Sequence, residues 1–174
     1  MESKSTPIQK IVVCFFGVVA RSAKYTYNNL YENIINVLKK EYDVDIYVFN
    51  NNVENTKVDN KQLNNNDAKL INSNVYEEEK QSAIDKKIEE MIKIKKIKIK
   101  MRGDYSITHI KNAIRQMYSE EKVGNFLEKN KNKYKCSVIC GPDYYLLDNI
   151  NLQHVKNSIN NDSIVYTTSV NDAQ

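Results

Sequence analysis

The most specific chemical signal in this sequence is an aspartate just beyond a Gly-Pro pair that ends an apolar run: Val138-Ile139-Cys140-Gly141-Pro142-Asp143-Tyr144-Tyr145. A carboxylate so placed can hold Mg²⁺ or Mn²⁺, hard cations that take oxygen ligands and bridge to phosphate oxygens. An Asp after Pro is equally an ordinary turn or cap residue. A second signal follows the first apolar run, where Gly17 permits close backbone approach and Arg21 with Ser22 can grip a diphosphate or a base. The plain alternative there is a turn carrying an exposed Arg. Neither GxGxxG nor GxxxxGK[ST] occurs, so no dinucleotide fingerprint or P-loop is claimed. A third pair, Asn171-Asp172, stands three residues from the last residue given, where a flexible terminus is the competing reading.

Other chemistries fail on residue type or spacing. Cys14, Cys136 and Cys140 are three thiols that cannot all pair, and no CxxC occurs, so a reducing compartment and buried thiols are expected. His109 and His154 lie far apart and have no usable zinc companions; they read as helix-surface and helix-packing residues. No Ser occupies a GxSxG elbow. The 174 residues carry a net charge of +4 and a pI near 8.8, with 23 Lys against three Arg. That skew, shared with Asn, Ile and Tyr, resembles the codon bias of an AT-rich genome. The 22 acidic residues interspersed among the basic ones argue against a nucleic-acid surface. The Lys93 to Lys100 segment keeps nucleic acid as a minor alternative, without the arginines and aromatic platforms such surfaces use.

These residues need elements to position them. Ile11 to Phe16 reads as a buried strand, interrupted by Gly17. Lys4 and Lys10 before the apolar run Ile11 to Ala20, with Val18 and Ala20 suitably placed for cleavage, also allow a signal peptide over residues 1–20. The β-branched and aromatic content favours the strand, and with it a cytoplasmic protein. Tyr27, Leu30, Tyr31, Ile34, Ile35 and Leu38 recur at three- and four-residue steps, the apolar face of a helix. Asp43 to Phe49 is a second strand, so the order implies a parallel β-α-β unit.

Asn50 to Asn74 lacks either period and reads as a long, mobile surface insertion. A Glu/Lys-rich helix is expected from Glu78 to about Ile94, then a short exposed strand or helix extension at Lys96 to Met101. Ser106 can cap a long helix with a stripe through Ile110, Ile114, Met117, Tyr118, Val123, Phe126 and Leu127. Cys136 to Cys140 is a strand, Leu152 to Ile159 a helix and Ile164 to Thr167 a last strand. Residues 1–9 form a polar tail and 10–174 one domain. No later run has the length of about 18 apolar residues that a membrane span needs.

Taken together, Lys10 to Ser22, Tyr42 to Phe49, Ile114-Arg115-Gln116-Met117-Tyr118-Ser119 and Tyr134 to Asp143 with Tyr145 resemble a family of GT-A type glycosyltransferases found in large DNA viruses and some microbes. The resemblance covers most of the chain. It implies an α/β, Rossmann-like GT-A domain with a mainly parallel sheet, which binds a nucleotide sugar at the C-terminal edge of the sheet. Such enzymes transfer the sugar to a hydroxyl on a glycan or other acceptor, usually with Mn²⁺ or Mg²⁺ on the diphosphate. It assigns Gly17, Arg21, Ser22 and Gln116 to the donor and Asp143 to the metal, with Asp172 as a candidate base; a viral copy would work in the host cytoplasm. Two departures stand out. Gly141 replaces the earlier of two acids in the family's metal motif, and the sequence stops where the family continues into acceptor-side elements. A non-catalytic nucleotide- or partner-binding module is the alternative.

Overall fold

A computed structural model describes residues 8–54, 57–58, 61–94, 107–161 and 165–166. Strand β1 (Lys10–Gly17) leads into helix α1 (Val19–Leu30), which continues through a π-helical turn at Tyr31–Ile35 into a last α turn, α2 (Asn36–Leu38). The helix starts eight residues before its expected apolar stripe, so Arg21, Ser22 and Lys24 lie on its first turns rather than in a loop. Strand β2 (Asp43–Asn52) follows, then a two-residue pair, β3 (Lys57–Val58) and β4 (Lys61–Gln62). A 3₁₀ helix at Asn65–Leu70 precedes strand β5 (Val75–Lys80) and helix α3 (Gln81–Ile94). Helix α4 (Ile107–Lys129), strand β6 (Cys136–Cys140) and helix α5 (Leu152–Asn160) complete the order.

The main sheet has the order β5-β2-β1-β6, and every neighbouring pair is parallel. Ile11 is opposite Val44 on one side and Cys136 on the other, so β1 is central. Strand alternation divides the core between two faces. Ile11, Val13 and Phe15 pack with Val44, Ile46 and Val48 beneath α1 and α5, whereas Val12, Cys14, Tyr47 and Phe49 pack beneath α3 and α4. Both faces are covered, which explains why β1 and β2 read as unbroken apolar runs. Phe126 of α4 stacks on Tyr47 at 4.0 Å, and Arg115 of α4 binds both carboxylate oxygens of Asp85 on α3, at 2.7 and 2.6 Å. The α/β class with a parallel sheet, and β1, β2 and β6 as neighbours, agree with the sequence reading.

Three expectations are corrected. The segment from Asn50 to Asn74 is not a structureless insertion: β2 runs on to Asn52, and Ala68 and Ile71 are buried against α1 in the core. Residues 55–56 and 59–60 lie outside the described residues. The helix expected from Glu78 instead begins at Gln81, because Val75–Lys80 pairs with β2 over six residues. Sheet hydrogen bonding overrides the helical preference of three successive Glu, and charge suits an edge strand. Of the strand expected at Ile164 to Thr167, only Val165 and Tyr166 are described, and neither is in a strand. Tyr166 stacks on His154 at 4.1 Å. The Lys96 to Met101 segment, the Ser106 cap and Asp172 lie outside the described residues.

Candidate functional site

All four main strands point the same way, so their C-terminal ends form one edge carrying Gly17, Asn52, Lys80 and Cys140. The chain winds outward from β1 to β2 to β5, then returns across the sheet to place β6 on the other side of β1. The reversal falls between the ends of β1 and β6, and in open α/β sheets such a reversal leaves a crevice where ligands collect.

Both sequence-flagged loops meet there. Gly17 has a φ of +98°, a conformation L side chains rarely adopt, and it turns β1 into α1. The N-cap residue Val18 makes no side-chain cap; in the first turn of α1 the Ala20 N–H is taken by Asn50 Oδ1 at 3.4 Å and the Arg21 N–H by the Val18 carbonyl at 3.0 Å, and the turn lies at the positive end of the helix dipole. Arg21, on that turn, places Nη2 3.2 Å from Asp143 Oδ2 beyond the end of β6. Both side chains are about half exposed, at 46% and 51%, so the pair is readily opened by a competing ligand.

The loop after β6 is held by a polar stripe on α1. Thr26 Oγ1 donates to the Pro142 carbonyl at 2.6 Å. Asn29 clamps Leu146 twice, donating to its carbonyl at 2.9 Å and accepting from its N–H at 2.7 Å. One turn on, within the π-helical segment, the Asn33 carbonyl accepts from Ile150 N–H at 2.8 Å. Ser22, Thr26, Asn29 and Asn33 recur at steps of four, three and four residues and so share one helix face. Ser22 differs from the other three: its Oγ is buried and has no hydrogen-bond partner. A buried hydroxyl left unpaired costs free energy unless a ligand or water completes it.

The adjacent end of β2 carries more unsatisfied polarity. Asn50, opposite Gly17 in the sheet, is fully buried; its Oδ1 accepts from Ala20 N–H at 3.4 Å, and its Nδ2 lies near the Tyr76 hydroxyl without a well-formed hydrogen bond. Asn51 Oδ1 is buried and unpartnered on the other face. Tyr144 and Tyr145, directly after Asp143, expose their rings. The stripe Thr26-Asn29-Asn33 and the Asn50-Asn51 pair escape sequence reasoning that counts apolar positions; the signal present was polar residues at helical spacing opposite the apolar ones.

The remaining candidates are placed elsewhere. Gln116 lies on the exposed side of α4 and donates to Glu120 at 3.1 Å, away from the crevice contacts. Its neighbour Arg115 is committed to Asp85. Burial pushes the Cys14 thiol up to about 12, and burial with the nearby Asp143 carboxylate pushes Cys140 up to about 12, so neither offers a thiolate near neutral pH. His109 and His154 are exposed on α4 and α5.

As a cation site the crevice is poorly furnished. Among the described residues no group of three or more His, Cys, Asp or Glu side chains gathers. Asp143 already faces the guanidinium of Arg21, and a Cβ at Gly141 would stand 3.0 Å from both Asp143 Oδ1 and the Tyr144 ring. A second acid at 141 therefore requires the Asp143 carboxylate and the Tyr144 ring to give way by a few tenths of an ångström. These residues do not fit a divalent ion. Among the described residues no helix is long and apolar enough to cross a membrane.

No protein-family model, no curated protein and no solved structure matches this chain.

Proposed function

We propose that the chain binds a nucleotide sugar in the β1–β6 crevice and transfers the sugar to a hydroxyl acceptor. The observation that carries this reading is the convergence of Arg21, Asp143 and the buried, unpaired Ser22 hydroxyl at the point where the sheet reverses its winding. A GT-A assignment rests on the sequence resemblance. In this reading the diphosphate lies against the first turn of α1, where the positive end of the helix dipole favours an anion. Arg21 offers a planar fork of donors, and Ser22 Oγ gains the partner it lacks. Tyr144 and Tyr145 offer exposed ring faces to the base or sugar.

Transfer forms a bond between the acceptor oxygen and the anomeric carbon, breaks the bond from that carbon to the diphosphate oxygen, and releases the acceptor's hydroxyl proton to solvent or to the departing diphosphate. Negative charge grows on the departing diphosphate, and donors fixed around it stabilise the transition state more than the ground state. A second reading, nucleotide binding without transfer, is favoured by Gly141, where the resembled family has an acid. A thermal-shift screen of nucleoside diphosphates and nucleotide sugars tests binding: a ligand specific for the folded state raises stability by about 2.7 kcal/mol at a hundredfold excess over Kd. Release of free nucleoside diphosphate from the stabilising donor, in the presence of glycan acceptors, separates transfer from binding alone. No stabilisation by any donor contradicts both readings.

A further inference from the structure

We propose that the crevice takes its diphosphate without a divalent cation, with Arg21 supplying the positive charge and Asp143 acting as the residue that positions Arg21. The inference rests on the nucleotide-binding reading above and decides what neutralises the ligand there.

Three observations lead to it. Asp143, the carboxylate that follows β6, is engaged by a guanidinium, with Arg21 Nη2 3.2 Å from Asp143 Oδ2. A metal on Asp143 would have to displace that cation or sit beside it, and like charges a few ångströms apart repel. The place where a second carboxylate would stand is Gly141, whose missing Cβ leaves the space used by Asp143 Oδ1 and the Tyr144 ring. Adding a side chain pushes against the aspartate it was meant to assist. The groups nearest Arg21 on its own helix suit an anion rather than a cation: the positive end of the helix dipole and the Ser22 hydroxyl, which is more than nine-tenths buried and unpartnered.

Asp143 contacts Arg21 through one terminal nitrogen. Among the described residues Arg21 makes no other side-chain hydrogen bond or ion pair, so the rest of its donor fork is available to phosphate oxygens. Holding the guanidinium at one corner reduces the side-chain freedom lost on binding. The carboxylate's charge works against the incoming anion, so its two effects oppose each other. Replacing it with an amide keeps an acceptor for Arg21 and removes the repulsion.

That balance gives Asp143→Asn opposite signs under the two accounts. Isothermal calorimetry of the full chain with UDP and GDP, in EDTA and then in Mn²⁺, reads it directly. The expected result is that a nucleoside diphosphate binds in EDTA with an affinity within about twofold of that in Mn²⁺. Arg21→Gln should weaken binding by about tenfold or more, the loss of one charge-assisted contact. Arg21→Lys should recover only part of that, because an ammonium lacks the planar fork. Asp143→Asn should bind equally or up to about fivefold more tightly. Arg21 and Asp143 are half exposed, and melting curves check that each variant folds. Binding that requires Mn²⁺, or its loss in a folded Asp143→Asn protein, overturns this inference and leaves the nucleotide site standing. Failure of the folded wild type to bind either diphosphate in either buffer overturns the inference by removing the nucleotide site on which it rests.

Discussion

Asp45 shows how the charge placement of this chain divides between structure and site. It lies at the start of β2, on the edge opposite the crevice, with Lys133 Nζ at 2.8 Å, Lys10 Nζ at 3.1 Å and the Tyr134 hydroxyl donating at 2.8 Å. Burial would raise its carboxyl, but Lys133, Tyr134 and Lys10 outweigh burial and hold it below the ordinary value of 3.8. A depressed carboxyl contributes stability that is complete above its unfolded value and fades as pH falls through the folded one. Asp45→Asn should therefore cost about 2 kcal/mol at neutral pH, the loss of bonds to a charged acceptor. In urea titrations the gap between the two proteins should begin to narrow below about pH 4 and close once the pH has fallen through the lowered folded value. A gap that persists there would assign the cost to packing. Across the sheet, Arg21 and Asp143 are half exposed, and their pairing holds little of the fold. Asn29 lies between these roles: Asn29→Ala removes both bonds to Leu146 and should destabilise by about 2 kcal/mol. The hydrogen exchange of the Leu146 amide should accelerate beyond the global effect, and unchanged local exchange would mean the loop is held by its apolar contacts.

At the scale of elements, what could be read from the sequence was what buries apolar residues at a regular period. Cys136–Cys140 has the bounds its apolar run implies, and Leu30, Ile34, Ile35 and Leu38 are buried on one face of the first helix as their spacing requires. Asn50 to Asn74 was not legible in this way, because the residues that anchor it are isolated. Ala68 and Ile71 are fully or almost fully buried beneath α1, separated by residues that face water. Asn74 replaces a backbone ladder at its end, accepting from Ile46 N–H at 2.7 Å through Oδ1 while its own N–H donates to the Ile46 carbonyl at 2.9 Å. No periodicity reveals that kind of ordering. Ile71→Ala should accordingly cost about 3 kcal/mol by chemical denaturation, the usual loss for a buried aliphatic truncation. A cost below about 0.5 kcal/mol, typical of surface positions, would restore the insertion as a loose appendage.

For the whole molecule, the sequence indicated three parallel strands and two suggestive loops, but not that β5 continues the sheet beyond β2. The position of β5 is what makes the winding one-sided until β6 crosses back, and the crossing is what puts the ends of β1 and β6 beside a crevice. Arg21 and Asp143 are 122 residues apart, a separation that only the crossing closes. Gln116 was drawn into the site by resemblance, and the packing of α4 turns it outward. The account's central claim is that a nucleotide's diphosphate lies between those two strand ends. The most direct measurement is an amide chemical-shift map of the isotope-labelled chain during titration with a nucleoside diphosphate. The account predicts perturbations concentrated at residues 17–26 and 140–146, saturating together, with Lys10, Asp43, Asp45 and Lys133 on the opposite edge unmoved. Saturable shifts confined to the α3 and α4 face, or none at all, would contradict it.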